Sequence, residues 1–304
     1  MSKTAIVSLS DSNYFHLLID LIKSIKRFKQ SENIKLCILD AGMTSEQIDI
    51  LSDMVYSIKK AEWDIPVSSY KIRNREWLKS QVSRPFIPNY FPEFEKYIWI
   101  DCDAWLNSWF AIEHLIQGSE NNKLAICSMS DRHTGRVIKL KWIYKSLAIV
   151  KSQNFKHSIT SGFPTKDCQL LSTEPHLNVG VFALNKSSET WKVWQKNLET
   201  ALKKGRIFGS EQIALNYSVY LDKCSVDLLP YYCNWIPFTN TTYWCENKNT
   251  FVEKFTPHHE IGIIHLAGGV FVNGKDMRYD KNILLPITTL SGNTVNKSFR
   301  YSID

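Results

Sequence analysis

The chain has 304 residues, 44% of them hydrophobic, enough to bury a core in one large domain or two small ones. Its net charge of +7 suits phosphates or an acidic membrane surface, but no basic stripe or recognition motif is visible, which argues against nucleic acid. Seven cysteines without CxxC spacing argue against a zinc site or a disulfide framework and predict a reducing compartment.

In chain order, Thr4 to Leu9 reads as a buried strand, and Ser10-Asp11-Ser12-Asn13 as turn and cap chemistry. Tyr14 to Phe28 has helical periodicity, with Leu17, Leu18, Leu21, Ile22 and Ile25 on one face. Ile34 to Leu39 is a second strand, and a helix follows from about Thr44, where Thr44-x-x-Gln47 has the form of a capping box. This alternation predicts an α/β fold, a Rossmann-like, mainly parallel sheet flanked by helices. Tyr97 to Ile100 is a further strand and Leu124 to Ser128 another. Arg132 to Pro175 is basic and weakly periodic and is expected to be an inserted helical lobe. Then come a strand at Asn178–Leu184, helices at Glu189–Lys203 and Glu211–Leu221, and a last buried strand at Gly262–Leu266 before a Gly-rich loop. The tail from Leu284 reads either as a docked strand or as a loose end. No linker or repeat is visible, so one composite domain over 1–283 is expected, with 284–304 as its tail. The sequence opens without a basic-then-apolar leader and contains no apolar run near 18 residues, so a cytoplasmic protein is expected, at most peripheral to the inner face of a membrane.

The densest chemical signal is Tyr97-Ile98-Trp99-Ile100-Asp101-Cys102-Asp103, an apolar strand ending in two carboxylates one residue apart. Side chains at i and i+2 of extended chain point the same way, so Asp101 and Asp103 are expected to converge at the carboxyl end of the strand, where open α/β sheets bind ligands. Two hard oxygen donors there suit a divalent cation, and a cation suits a diphosphate. Asp11, Asn13 and Tyr14 sit at the same edge, after the first strand. The two polar side chains suit a pyrimidine edge and the ring suits stacking, although Asp11 or Asn13 could equally just cap the next helix. Ile263-Ile264-His265-Leu266-Ala267-Gly268-Gly269 sets an imidazole at a strand end before two glycines. His265 could ligate a metal, biasing the site from Mg²⁺ toward Mn²⁺, or could be a structural histidine. Gly268 would let backbone N–H groups approach a phosphate. Tyr231, Tyr232, Trp235 and Trp244 form an aromatic run suited to core packing or to an acceptor wall.

In order along most of its length, the chain resembles glycosyltransferase family 8, retaining enzymes of the GT-A fold that use nucleotide sugars. Ile6-Val7 through Asp11-x-Asn13-Tyr14 is similar to the family's uridine-binding opening. Ser24-Ile25, Leu39-Asp40-Ala41-Gly42, and Arg84 ahead of Pro88 and Phe91-Pro92 resemble the landmarks that follow. Asp101-Cys102-Asp103 is similar to the metal motif, Asn178-Val179-Gly180 to an Asn-x-Gly strand and Glu211-Gln212 to an Asp-Gln helix start. Pro230 and Asn234 fall in a Pro-then-Asn segment, and His265-x-x-Gly268 resembles the C-terminal metal motif. Two departures stand out. The family's Lys-Pro-Trp is replaced by Phe271-Val272-Asn273, with Lys275 as the candidate substitute for the phosphate contact, and Glu211 stands in place of Asp.

The resemblance implies hexosyl transfer from a UDP-sugar to a glycan or glycolipid acceptor, with retention, in bacterial surface polysaccharide or lipopolysaccharide synthesis. It implies a metal held by Asp101, Asp103 and His265, Mn²⁺ or else Mg²⁺. It further implies nucleotide-sugar contacts from Asp11, Asn13, Tyr14, Arg84, Asp101, Cys102, Asp103, Gly268 and Lys275. Gln212, Glu211, Asn178 and Asp131 are the expected catalytic-face residues; Glu211 is a rival nucleophile to a same-face mechanism, and Asp131 could be only a strand-end cap. The nucleotide-sugar half would cover about 1–130, the acceptor lobe about 132–175 and the C-terminal metal motif about 261–280. A dehalogenase-like phosphatase also uses Asp-x-Asp, but near the N-terminus and with Thr or Val soon after, where Ala104-Trp105 stand here. A catalytically weak protein that only binds nucleotide sugar or glycan is the non-enzymatic alternative.

Overall fold

The computed structural model describes residues 3–132, 138–269, 271–272 and 274–302. Its centre is a seven-stranded sheet in the spatial order Val226–Leu229, Leu124–Ser128, Leu177–Asn185, Lys96–Ile100, Thr4–Ser10, Lys35–Asp40, Ser57–Lys60. All neighbours run parallel except Leu177–Asn185, which is antiparallel to both strands beside it. The sheet is therefore mixed and mainly parallel, as the alternating pattern predicts.

Apolar side chains on both faces of these strands form two cores. One holds Val7, Leu39, Tyr97, Trp99, Phe182 and Trp194; the other holds Ile6, Leu18, Ile22, Ile98, Ile100 and Leu115. Burial on both faces is what near-continuous apolar strands require. The helix Phe15–Lys26 buries Leu17, Leu18, Leu21, Ile22 and Ile25, the face read from the sequence. Thr44 and Gln47 close the capping box before Ser45–Ser52.

The insert differs from its expectation. Helices Gln153–Thr160 and Thr165–Leu171 fill its second half, but its first half is an antiparallel hairpin, Ile138–Tyr144 with Leu147–Ser152; residues 133–137 of this segment lie outside the described ones. The alternation of Lys with apolar β-formers in Ile138-Lys-Leu-Lys-Trp-Ile-Tyr144 is a period of 2, and that is why the segment pairs as strands and not as a helix. The tail is docked. Leu285–Thr289 pairs with both Thr242–Cys245 and Thr294–Lys297, and Ile287, Phe299 and Tyr301 join a third core with Trp105, Trp235 and Trp244. Tyr231, Trp235 and Trp244 are buried there, so the aromatic run packs and does not form a wall.

Candidate functional site

The carboxyl ends of Thr4–Ser10 and Lys96–Ile100 open into a cavity of about 690 Å³. The Asp-x-Asp strand ends at Ile100, before either carboxylate, so the two do not converge as i and i+2 of extended chain. Instead a tight turn, closed by Ala104 N–H donating to Asp101 O (3.0 Å), swings both carboxylates to one side. His265 arrives opposite them on Ile263–His265, a short strand paired with Ala104–Leu106. Its Nε2 lies 3.2 Å from Asp103 Oδ1 and 3.7 Å from Asp101 Oδ2. Ligand atoms of the three residues all lie within 4.8 Å of one another.

The donor set fits a divalent cation. Nδ1 of His265 is 2.9 Å from Asn234 Oδ1, which requires Nδ1–H to donate there and leaves the Nε2 lone pair facing the carboxylates. Asn234 Nδ2 in turn donates to Asn178 Oδ1 (3.2 Å), which also accepts from Gly180 N–H (2.8 Å). Gly180 has to be glycine. A Cβ there would stand 2.2 Å from His265 Cε1 and 2.9 Å from Asp101 Oδ2. Gly180→Ala is therefore expected to push the imidazole out of line and weaken Mn²⁺ binding about 10- to 100-fold, read by titration calorimetry. Unchanged affinity would mean that His265 is not a ligand.

Behind the carboxylates lies a buried charge network. Arg84, 4% exposed, donates to Asp101 Oδ1 (2.5 Å) and to Glu211 Oε1 (2.7 Å), and its guanidinium lies 5.0 Å from the Trp99 ring centroid. Trp99 Nε1–H donates to the same Asp101 oxygen (2.7 Å). Asp101 thus gives one oxygen to the network and leaves the other facing His265. Glu211 Oε2 and Arg84 Nε are buried without a hydrogen-bond partner. Burial pushes the Glu211 carboxyl up to about 7, even against the pull of Arg84.

Gln212 lies one residue further along the helix Ser210–Tyr220 and is held from behind by a fully buried histidine. The His176 Nδ1 engages Asn154 Oδ1 (2.5 Å) and its Nε2 engages the Gln212 side-chain amide. Burial pushes His176 down to about 3, so the ring is neutral at ordinary pH. With Nδ1–H donating to Asn154, Nε2 can only accept, so Gln212 donates its N–H there. Neither His176 nor Asn154 stood out in the sequence, because a lone His before a strand and a lone Asn in a helix carry no spacing signal.

Of the residues named from the sequence, Asp11, Asn13, Tyr14, Arg84, Asp101, Cys102, Asp103, Asn178, Glu211, Gln212, His265 and Gly268 all line the cavity. Asp11 also caps the turn after the first strand, accepting from Tyr14 N–H (3.1 Å) and Asn13 Nδ2 (3.1 Å), so its two readings coexist. The Cys102 thiol is pushed well up by burial beside the acidic groups. Gly268 adopts φ +75°, a left-handed conformation open to glycine.

Two residues fall elsewhere. Asp131 is outside the lining; its carboxylate accepts from Arg132 N–H (2.5 Å) and Tyr231 N–H (3.2 Å), tying the start of the insert to the body. Lys275 is exposed on Lys275–Asp276, half of a small hairpin with Phe271–Val272, and does not line the cavity. Arg278, three residues on, does line the cavity; it donates to Tyr14 OH (2.7 Å) and is braced by Asp276 (2.7 Å). Val270 and Asn273 of this loop lie outside the described residues. The cavity rim also carries Trp77, Phe208 and Phe238, three exposed aromatics the sequence reading passed over.

The chain matches the family model described as Glycosyl transferase family 8 over residues 5–205, a span that contains Asp101, Asp103 and Asn178 and stops short of Glu211, Gln212 and His265. No curated protein matches it by sequence. Among solved structures it is similar to the galactosyltransferase LgtC in complex with donor and acceptor sugar analogues, with TM-score 0.50 and 15% identity over 87% of each chain. It is also similar to the bifunctional glycosyltransferase WbbM in its apo form, with TM-score 0.55 and 16% identity over 92% of this chain and 49% of that one, so it spans about half of WbbM. At such identities the likeness speaks for the fold, which is GT-A.

Proposed function

This chain belongs to glycosyl transferase family 8 and is a glycosyltransferase, and on that premise we propose that it moves a hexose from a UDP-sugar to a glycan or glycolipid acceptor, with retention at the anomeric carbon. The observation that carries the reading is the meeting of Asp101, Asp103 and His265 with Gln212, Asn178 and Arg278 around one cavity. Asp11, Asn13 and Tyr14 would take the uridine, beside Cys102. Gly268 and Arg278 would take the diphosphate, Arg278 with its fixed fork of donors and Gly268 with a backbone that can come close. Asp101, Asp103 and His265 would hold Mn²⁺, or Mg²⁺, which when bound neutralises the charge that grows on the departing diphosphate.

Retention has two routes, and the geometry favours one. A double displacement needs a free carboxylate beneath the sugar. Glu211 is the nearest candidate in sequence, but Oε1 is engaged by Arg84 and the carboxyl is half protonated near pH 7, which makes it a poor nucleophile. Gln212, an amide, is poorer still. The same-face route fits better: the leaving phosphate accepts the proton of the acceptor hydroxyl, while Gln212 and Asn178 orient the sugar and stabilise charge. With N–H donated to His176, the Gln212 carbonyl oxygen is the group left for the sugar; Asn178, its oxygen engaged, offers its amide hydrogens. Glu211 would bind sugar hydroxyls. Asp131 and Lys275 drop out of this reading.

Galactose, glucose and N-acetylglucosamine are the candidate donor sugars. For the acceptor we take a bacterial surface glycan such as lipopolysaccharide, made at the inner face of the membrane; no helix among the described residues is long and apolar enough to cross one. The test is release of nucleoside diphosphate from a panel of nucleotide sugars, with Mn²⁺ or with chelator. One UDP-sugar turned over with Mn²⁺ and spared by chelator is the expected result. Turnover of a guanosine or adenosine sugar, or full activity in chelator, would overturn the assignment of donor or metal.

A further inference from the structure

Among the described residues, the hairpin Ile138–Tyr144/Leu147–Ser152 carries the densest run of exposed large apolar side chains. Trp142, Tyr144 and Leu147 are 63%, 71% and 59% exposed, and Leu140, Ile143 and Ile149 are exposed as well. The two strands form a sheet of their own, apart from the central one. A free two-stranded ribbon with this much apolar surface is marginal in water.

Its charge is as unusual as its apolarity. From Arg132 to Lys166 the sequence has eight Lys and Arg and no Asp or Glu, so the rest of the chain is close to neutral. Lys139 and Lys151 face each other directly across the strands, a like-charge pairing that opposes the hairpin unless something negative lies against it. Lys141 and Lys145 are exposed on the same ribbon.

We propose that this hairpin docks the protein on a membrane surface bearing anionic lipid. Trp and Tyr rings settle at the headgroup level, Leu and Ile enter the acyl boundary, and Lys stems extend while their ammonium groups pair with phosphates. A glycan acceptor suits the ribbon less well. Sugar hydroxyls are held by carboxylates and amides, and Ile138–Ser152 contains none. Position supports the same occupant. The second strand runs straight into the helix Gln153–Thr160, whose Gln153 and His157 line the cavity. Six residues of strand at about 3.3 Å each set the tip roughly 20 Å from the cavity wall, so a docked hairpin holds the mouth beside the bilayer. This deepens the reading of a glycolipid acceptor and rests on it only for the purpose of docking.

The test is co-sedimentation of the full chain with vesicles of phosphatidylcholine, alone or with an equal part of phosphatidylglycerol. The comparison is among wild type, Trp142→Ser/Tyr144→Ser and Lys139→Gln/Lys141→Gln/Lys145→Gln. Wild type is expected on the anionic vesicles only, with binding lost at high salt. The triple lysine variant is expected to lose on the order of a hundredfold in partitioning, and the aromatic pair about tenfold. UDP release from free donor, unchanged in both variants, reports an intact fold and separates a failed docking site from a failed transferase assignment. Equal sedimentation of variants and wild type, or no wild-type binding to anionic vesicles, would overturn the proposal. So would a change of oligomeric state in the variants without vesicles, which would make a second copy of the chain the occupant.

Discussion

Asp103→Asn is expected to lower metal-dependent turnover about a thousandfold or more, roughly the 4 kcal/mol of transition-state stabilisation that a Lewis-acid cation supplies. The choice of Asp103 over Asp101 follows from the geometry. Asp101 Oδ1 is bound by Arg84 and Trp99, so substituting Asp101 would disturb the buried network along with the cation site. Asp103 faces His265 at 3.2 Å and has Arg278 as its further cationic neighbour, so its loss is confined to the cavity. Asn keeps the shape and one oxygen while removing the charge. In chelator the variant should still fold and melt somewhat lower than wild type, because it loses the pairing with His265 that holds the Asp103 carboxyl below its usual range, while being relieved of repulsion from Asp101. In Mn²⁺ the wild type should gain in melting temperature and the variant should not, since only a native state that binds the ion is stabilised by it. Thermal melts in both conditions, with Mn²⁺ binding followed by electron paramagnetic resonance, separate loss of the ion from loss of the fold. A variant that gains as much from Mn²⁺ as wild type would remove Asp103 from the ligand set.

The parts legible in the sequence are those written in local spacing. The capping box at Thr44 and Gln47, the apolar face of Phe15–Lys26 and the strand before Asp101 each rest on residues within a turn or a strand of one another, where period and cap chemistry act directly. His265 could be singled out because glycines follow it. What spacing could not show are partnerships across long stretches of chain: Arg84 with Glu211, His265 with Asn234, and His176 with Asn154 and Gln212. Each is a lone polar residue whose neighbours are set only when the sheet assembles. The loop after His265 shows the limit most clearly. Lys275 is the nearest basic residue to the missing motif, but it lies exposed on Lys275–Asp276, while Arg278 reaches Tyr14. The basic insert is the opposite case: its period-2 alternation is there, but it runs over only a few residues of a long, weakly periodic segment that reads as a helical lobe, and its lysines lie along an exposed ribbon.

Arg84→Met should give the second large effect, and its signature lies in pH. The guanidinium is the buried positive charge between Asp101 and Glu211, and Met keeps its bulk beside Trp99 without the charge. Stranding buried carboxylates in this way costs about 3–5 kcal/mol. Glu211 can soften the loss by taking a proton, since its carboxyl already stands at about 7 against an ordinary value of 4.5. A raised carboxyl contributes stability that is present below the unfolded value and is lost as pH rises through the folded one. In wild type that loss therefore ends just above pH 7, where Glu211 ionises against Arg84. In the variant the ionised form has no partner, the folded value climbs higher, and stability continues to fall by up to about 1.4 kcal/mol per pH unit. Urea unfolding in chelator from pH 6 to 9 should show parallel curves below pH 7 that diverge above it. Arg84→Met/Glu211→Gln should remove the divergence, because an amide has no proton to lose. If the single variant ran parallel to wild type across the whole range, Glu211 would not be the group that Arg84 holds ionised, and its assignment to sugar hydroxyls would lose the charge control it depends on.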